Sequence, residues 1–296
     1  MKNLKSLLYL VRPASIMVIV AGSIFSAMPS KAVSIFLTGH DPDFHALAIN
    51  ENSAGAQNIN KTAIKFVTDP AFNTFTSKGI NKFLFVESKI SPPSGHLNGV
   101  NGIIASGYSL GSDFEHADAN TLNAALDQLG KPGGYNAIVV ASDFGGVLTK
   151  NELDILNDRS SDIINFLNAG GGVYAMSESS SRANLTRNSK LWGFLPFIAT
   201  TKPLEQFETG YTVTPFGASL GLTSFDVNNN FSHSIFTGTF GLNVVDKDAQ
   251  GNIVSLAGRS LPVPNTTVPE PSHSLSILMI GTIGIISRRR LRKKSI

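Results

Sequence analysis

The strongest constraint on the fold is a strand–helix–strand unit in the middle of the chain. "YNAIVVASDFGG" (135–146) is apolar at consecutive positions, as a central parallel strand covered on both faces should be. Thr149 and Glu152 then form a T-x-x-E capping box, the signature of a helix start. Leu153, Leu156, Ile163, Ile164 and Leu167 build one apolar stripe, which predicts a single helix over 149–169 closed by "AGGG". "GGVYAMSES" then resumes as a strand. A unit of this kind needs parallel neighbours and a right-handed crossover.

The pattern repeats on the N-terminal side. "VSIFLTG" (33–39) and "KFLFVES" (82–88) read as strands, with a helix near 54–69 between them. "VNGIIASGY" (100–108) also reads as a strand, and "DANTLNAALDQLG" (118–130) as a helix stopped by Gly130. Beyond 180 the pattern weakens to shorter strands, "FETGYTVTPFG" and "GLNVVDKDAQGNIVSLAGR", with "DKDAQGN" as a hairpin turn. The expected class is α/β: a doubly wound, mostly parallel sheet with a small β-rich C-terminal extension.

Both ends of the chain differ from this middle. Lys2, Lys5 and Arg12 precede the apolar "SIMVIVAGSIFSAM", and small Ser30 and Ala32 follow. This is the layout of a secretory signal over 1–32, cleaved after Ala32 by signal peptidase. At the other end a Pro-rich linker (261–273) contains Val268, Pro269, Glu270 and Pro271. An apolar run, Leu275–Ile286, and a cluster starting with Arg288, Arg289 and Arg290 complete the segment 274–296. A dozen helical residues reach about 18 Å against a hydrocarbon core of about 30 Å, so the run spans a membrane poorly by itself. The basic cluster would hold the C-terminus on the cytoplasmic side of a membrane.

The ends also distort the charge. The whole chain carries +3, but four of its 24 Lys and Arg lie at or before Lys31 and six lie after Ile286. That leaves 14 against 21 Asp and Glu in the segment between. The acidic middle removes the electrostatic basis for nucleic-acid binding. It suits a soluble exported domain and a cation-bridged polysaccharide partner. There is no Cys, so neither a disulfide nor a thiol nucleophile is available.

The C-terminal layout resembles the PEP-CTERM sorting signal of bacterial surface proteins, on Val268–Pro271, Leu275–Ile286 and Arg288–Arg290. The resemblance implies recognition by an exosortase, a membrane-embedded cysteine protease that cuts near Pro269, Glu270 and Pro271. It implies a destination at the cell surface or outside the cell. The domain over 33–260 is similar, more loosely, to the class I glutamine amidotransferase-like, trehalose-utilisation-type superfamily with its flavodoxin-like sheet. The similar pieces are 135–146, 148–176 and "FSHSIFTG" (231–238). In that superfamily a nucleophilic Cys often follows the strand after the Gly-rich turn. Here Ser177 stands near that position with Glu178 beside it, and no G-x-S-x-G elbow surrounds it.

The remaining candidate chemistry is "GHDPDFHA", directly after the first strand. His40, Asp41, Asp43 and His45 place four potential ligands for a divalent metal in six residues. In open α/β sheets, ligands bind outside the carboxyl ends of the strands. His96, His116 and Asp143 are expected on loops at the same edge, with His233 as a further member. Three readings follow. The first is a non-catalytic exported surface or matrix domain. The second is a metal-dependent or serine hydrolase acting on exopolysaccharide or a small amide. The third is a carbohydrate- or calcium-binding module.

Overall fold

The computed structural model describes residues 33–88, 99–142, 148–176 and 191–260. The elements in chain order are β1 (Ser34–Thr38), α1 (Pro42–His45), α2 (Ser53–Thr68), a 3-10 turn (Thr76–Lys78), β2 (Lys82–Val86), α3 (Gly99–Ala105) and β3 (Phe114–Ala117). There follow α4 (Leu122–Leu126), β4 (Tyr135–Val140), α5 (Lys150–Asp158), α6 (Ser160–Asn168), β5 (Gly172–Met176) and β6 (Thr201–Phe207). The last are β7 (Thr212–Val213), α7 (Pro215–Ser219), β8 (Phe231–Phe236), β9 (Asn243–Lys247) and β10 (Ile253–Gly258). The signal-like N-terminus, with Ala32, and the tail, with Pro269, Glu270 and Pro271, lie outside the described residues.

The strands make one ten-stranded sheet in the order β3-β2-β4-β5-β1-β10-β8-β6, with β9 paired to β10 and β7 to β9. The pairs from β3 to β1 are parallel. Those from β1 outward are antiparallel. The expected flavodoxin-like α/β class with antiparallel C-terminal strands is therefore what the chain forms. The consecutive apolar residues of β1 and β4 are buried almost throughout, as strands with covered faces require. α2 packs on β1, β5 and β4 with α1 and α3 beside it, while α4, α5 and α6 form a second group, of which α6 packs on β5.

One polar side chain ties several of these elements together. Asn60 of α2 is fully buried. Its amide donates to the Pro42 carbonyl (2.9 Å) and to Ser106 Oγ (3.1 Å), and its oxygen accepts from the Tyr174 hydroxyl (3.0 Å). Every polar atom of that side chain is satisfied, which is what allows it in the core. The Tyr174 ring meets Phe36 edge-on, and Phe36 meets Phe66 of α2 in the same way.

Four local expectations need correction. "VNGIIASGY" is not a strand: it contains α3. Gly99, Gly102 and Ile103 are the buried positions of α3, with Ser106 buried just beyond its end, a helical spacing that the short apolar stretch concealed. "FEHA", expected as a loop around His116, is β3, held in register with β2 by a stacked Phe83–Phe114 ring pair. The helix expected over 149–169 is two, divided at Arg159. The Arg159 guanidinium bonds Asp127, just past the end of α4, and Asp162 of α6, and so ties the two helices across the break. Within "FETGYTVTPFG" the last residues start α7, where Thr214 caps through a bond from the Gly217 N–H (3.1 Å).

The hairpin joining β9 and β10 is as expected, with Asp248 accepting from the Gln250 and Asn252 N–H groups. Asp246, however, belongs to β9 and not to the turn.

The capping box at Thr149 is present: the Thr149 N–H donates to Glu152 Oε2 (3.1 Å), and the Thr149 hydroxyl bonds the same oxygen. Thr149→Ala should cost about 1 kcal/mol through loss of the cap. Leu167 is fully buried on α6, and Leu167→Ala should cost about 2–5 kcal/mol. Denaturant melts of the two variants check the ranking; equal effects would mean that the apolar stripe does not carry the packing.

Candidate functional site

The parallel strands all present their carboxyl ends to one edge, where the chain places an unusual density of buried acids and imidazoles. His40 and α1 follow β1, Glu87 follows β2, His116 sits in β3, and Ser142 follows β4. Glu152 reaches the same region from α5, where its Oε1 accepts from the Ala119 N–H (2.9 Å).

The four residues of the "GHDPDFHA" cluster do not turn toward a common point. His40 turns to the antiparallel side. Its Nδ1 is hydrogen-bonded to Glu208 Oε1 and its Nε2 to Asp246 Oδ2 (2.6 Å), and all three side chains are buried. Burial alone would lower the His40 pKa, but the two carboxylate charges and their hydrogen bonds outweigh it, and the pKa is raised well above the ordinary value. His45 stays on α1, with Nε2 2.9 Å from Asp41 Oδ1 and Nδ1 paired with Glu51. Burial opposes its charge too, yet Asp41 and Glu51 lift the pKa to about 10. Each imidazole is thus a charged bridge between two carboxylates.

Asp43 points elsewhere again. Its Oδ2 accepts from the Ser142 N–H (3.0 Å) and hydroxyl (3.3 Å), and its Oδ1 from the Phe44 N–H (3.0 Å). Burial raises its pKa to about 6, with the Asp41 charge adding and the Ser142 and Phe44 bonds opposing. Among the described residues, no group of three or more His, Asp or Glu side chains could hold a metal ion. A metal centre formed jointly by His40, Asp41, Asp43 and His45 is therefore not assembled: the ring nitrogens it would need face carboxylates instead.

His116 lies near this edge, with Nε2 3.9 Å from Glu87 Oε2 and its ring beside Phe85. The edge thus joins Asp43, Glu87, His116 and Glu152, whereas His40 is committed to the antiparallel strands. His96, Asp143, Ser177 and Glu178 lie outside the described residues, as does the side chain of His233.

Neither a family model nor a curated relative matches the chain.

Glu51, Glu87, Ser142, Glu208 and Asp246 stand in no motif that marks them as partners of these groups. Glu87 and Ser142 had a usable signal, since each is a polar residue at the carboxyl end of an apolar strand. Glu208 and Asp246 had none. They lie 168 and 206 positions from His40, in stretches that read as ordinary strand ends and turns.

Proposed function

We propose that this chain is an exported bacterial surface or extracellular-matrix protein, sorted through its C-terminal Pro-Glu-Pro signal. Its α/β domain then serves there as a non-catalytic module. The observation that carries the second half is the commitment of both imidazoles of "GHDPDFH" to carboxylates at each ring nitrogen. An imidazolium held in this way neither takes a proton from a nucleophile nor offers a lone pair to a metal. The nearby carboxyls have structural partners as well: Ser142 for Asp43, Gly99 and Val100 for Glu87, Thr149 and Ala119 for Glu152. With no Cys in the chain, the thiolate chemistry of the amidotransferase-like superfamily is closed to it.

Export and sorting rest on the order of features at the two ends, with signal peptidase and an exosortase as processing partners and the membrane as a transient one. The acidic middle segment favours exopolysaccharide, bridged by cations, as the matrix partner.

Two measurements test the two halves separately. In a host with the matching exosortase, Glu270→Ala should leave the protein membrane-retained with its tail uncut. Normal processing of that variant would end the sorting reading. The purified full chain should release no product from glutamine or from exopolysaccharide, with or without added divalent metal. Hydrolysis abolished by chelator and restored by added divalent metal would instead establish the metal-dependent hydrolase.

A further inference from the structure

Among the described residues, the buried charged groups are carboxyls and histidines, with no Lys or Arg. At the carboxyl edge this imbalance centres on Glu87. Its side chain is fully buried, and its two oxygens accept from the Gly99 N–H (2.5 Å) and the Val100 N–H (3.0 Å) at the start of α3. The groups around it come from each neighbouring element. α1 contributes Asp43, with Asp41 and His45 behind it; β3 contributes His116; α5 contributes Glu152; α3 contributes no charged residue.

The contact between α1 and α3 is tight. A Cβ on Gly102 would lie 1.7 Å from the Asp43 carbonyl oxygen, so the two backbones touch with no side chain between them. Asp43 rides on one side of that contact. Glu87 is fastened to the other through the α3 amides.

We propose that the α1–α3 contact is proton-dependent: it is held while the Glu87 carboxyl keeps its proton and loosens when that proton is lost. Losing the proton puts a third negative charge beside Asp43 and Glu152, where the described residues bury no Lys or Arg and like charges repel strongly. The bonds from Gly99 and Val100 strengthen at the same time, because a carboxylate accepts better than a neutral acid. Glu87 therefore keeps α3, and the strain is relieved by separating Asp43, and α1 with it, from α3. The edge where ligands of such sheets bind would open with rising pH.

The pKa of Glu87 agrees with this geometry. Burial raises it to about 8, with the Gly99 and Val100 bonds opposing and the Asp43 and Glu152 charges adding. A carboxyl raised in the closed state stabilises that state fully below its ordinary pKa of about 4.5. The contribution is lost as pH rises toward about 8, then levels off. Asp43 acts in the same direction but only up to about 6, and His45 acts between about 6.5 and about 10. Between pH 6 and 8 His45 contributes in both proteins, so the difference between wild type and Glu87→Gln isolates Glu87.

Hydrogen-exchange protection factors of the α1 and α3 amides should be measured on the purified full chain across that window. In wild type the protection should fall more steeply than in Glu87→Gln by about tenfold per pH unit, the effect of one proton. Equal slopes in the two proteins would overturn the proposal. Should the variant fail to fold, the wild-type Glu87 carboxyl can be titrated by carbon NMR. A midpoint above 7 supports the proposal, and an ordinary carboxylate midpoint overturns it.

Discussion

Replacing His40 with Ala should lower the stability of the domain by about 3–5 kcal/mol, the cost of breaking a buried ion pair from one side. The reason is what remains. Glu208 and Asp246 are both fully buried, and His40 bonds one oxygen of each. Their second oxygens, Glu208 Oε2 and Asp246 Oδ1, have no hydrogen-bond partner among the described residues. The imidazolium is thus the main compensation for two carboxylates that come from β9 and the end of β6. Denaturant unfolding near neutral pH would show the loss as a shifted midpoint with an unchanged slope.

The wild-type protein should also lose the His40 contribution in alkali. The pKa of His40 is raised in the folded state, so its stabilisation is complete below about 6.5 and disappears as pH rises through the folded value. A loss under 1 kcal/mol in His40→Ala would mean that the two acids are relieved in some other way.

The second large effect is expected from a single methyl group. Gly102→Ala should destabilise by about 3 kcal/mol or more, at the upper end of overpacking penalties. The added Cβ would fall 1.7 Å from the Asp43 carbonyl oxygen and 2.7 Å from its carbonyl carbon. These are backbone atoms, so no side-chain rotation relieves the clash. Ordinary helix propensity predicts the opposite, since Ala is favoured over Gly by about 1 kcal/mol inside a helix. The sign of the measured change therefore decides between propensity and packing. Gly79→Ala is an instructive control of a different kind: its Cβ would meet nothing within 4 Å, but its φ of +85° makes the cost conformational.

Much of the architecture was legible because the responsible signals are local. The consecutive apolar residues of β4, the box at Thr149 and Glu152, and the Gly-rich turn before β5 each act within a few residues. All three are found where the periodicity put them. The errors also have local explanations. α3 has only seven residues, three of them Gly99, Gly102 and Ala105, so its apolar positions are too few to separate helix from strand. Its start is fixed from outside, by the Glu87 carboxyl accepting from two of its amides. The break at Arg159 falls inside an otherwise regular apolar stripe, and its partners are Asp127, at the end of α4, and Asp162, on α6.

By itself the sequence determined the α/β class, the place of most strands, and the concentration of acids and imidazoles after β1. Hydrophobic periodicity and capping work over one or two turns of chain, and such information survives without a fold. Only the tertiary structure decided which partner each of those side chains took. His40, Asp43 and His45 lie within six residues, yet their partners are Glu208 with Asp246, Ser142, and Asp41 with Glu51 respectively. Buried charges must be neutralised by whatever the fold brings near them, and in this chain β6 and β9 arrive from far along the sequence. Neighbouring positions therefore indicated a shared site, while the long-range pairing of β1 with β10, and of β10 with β8 and β9, separated them.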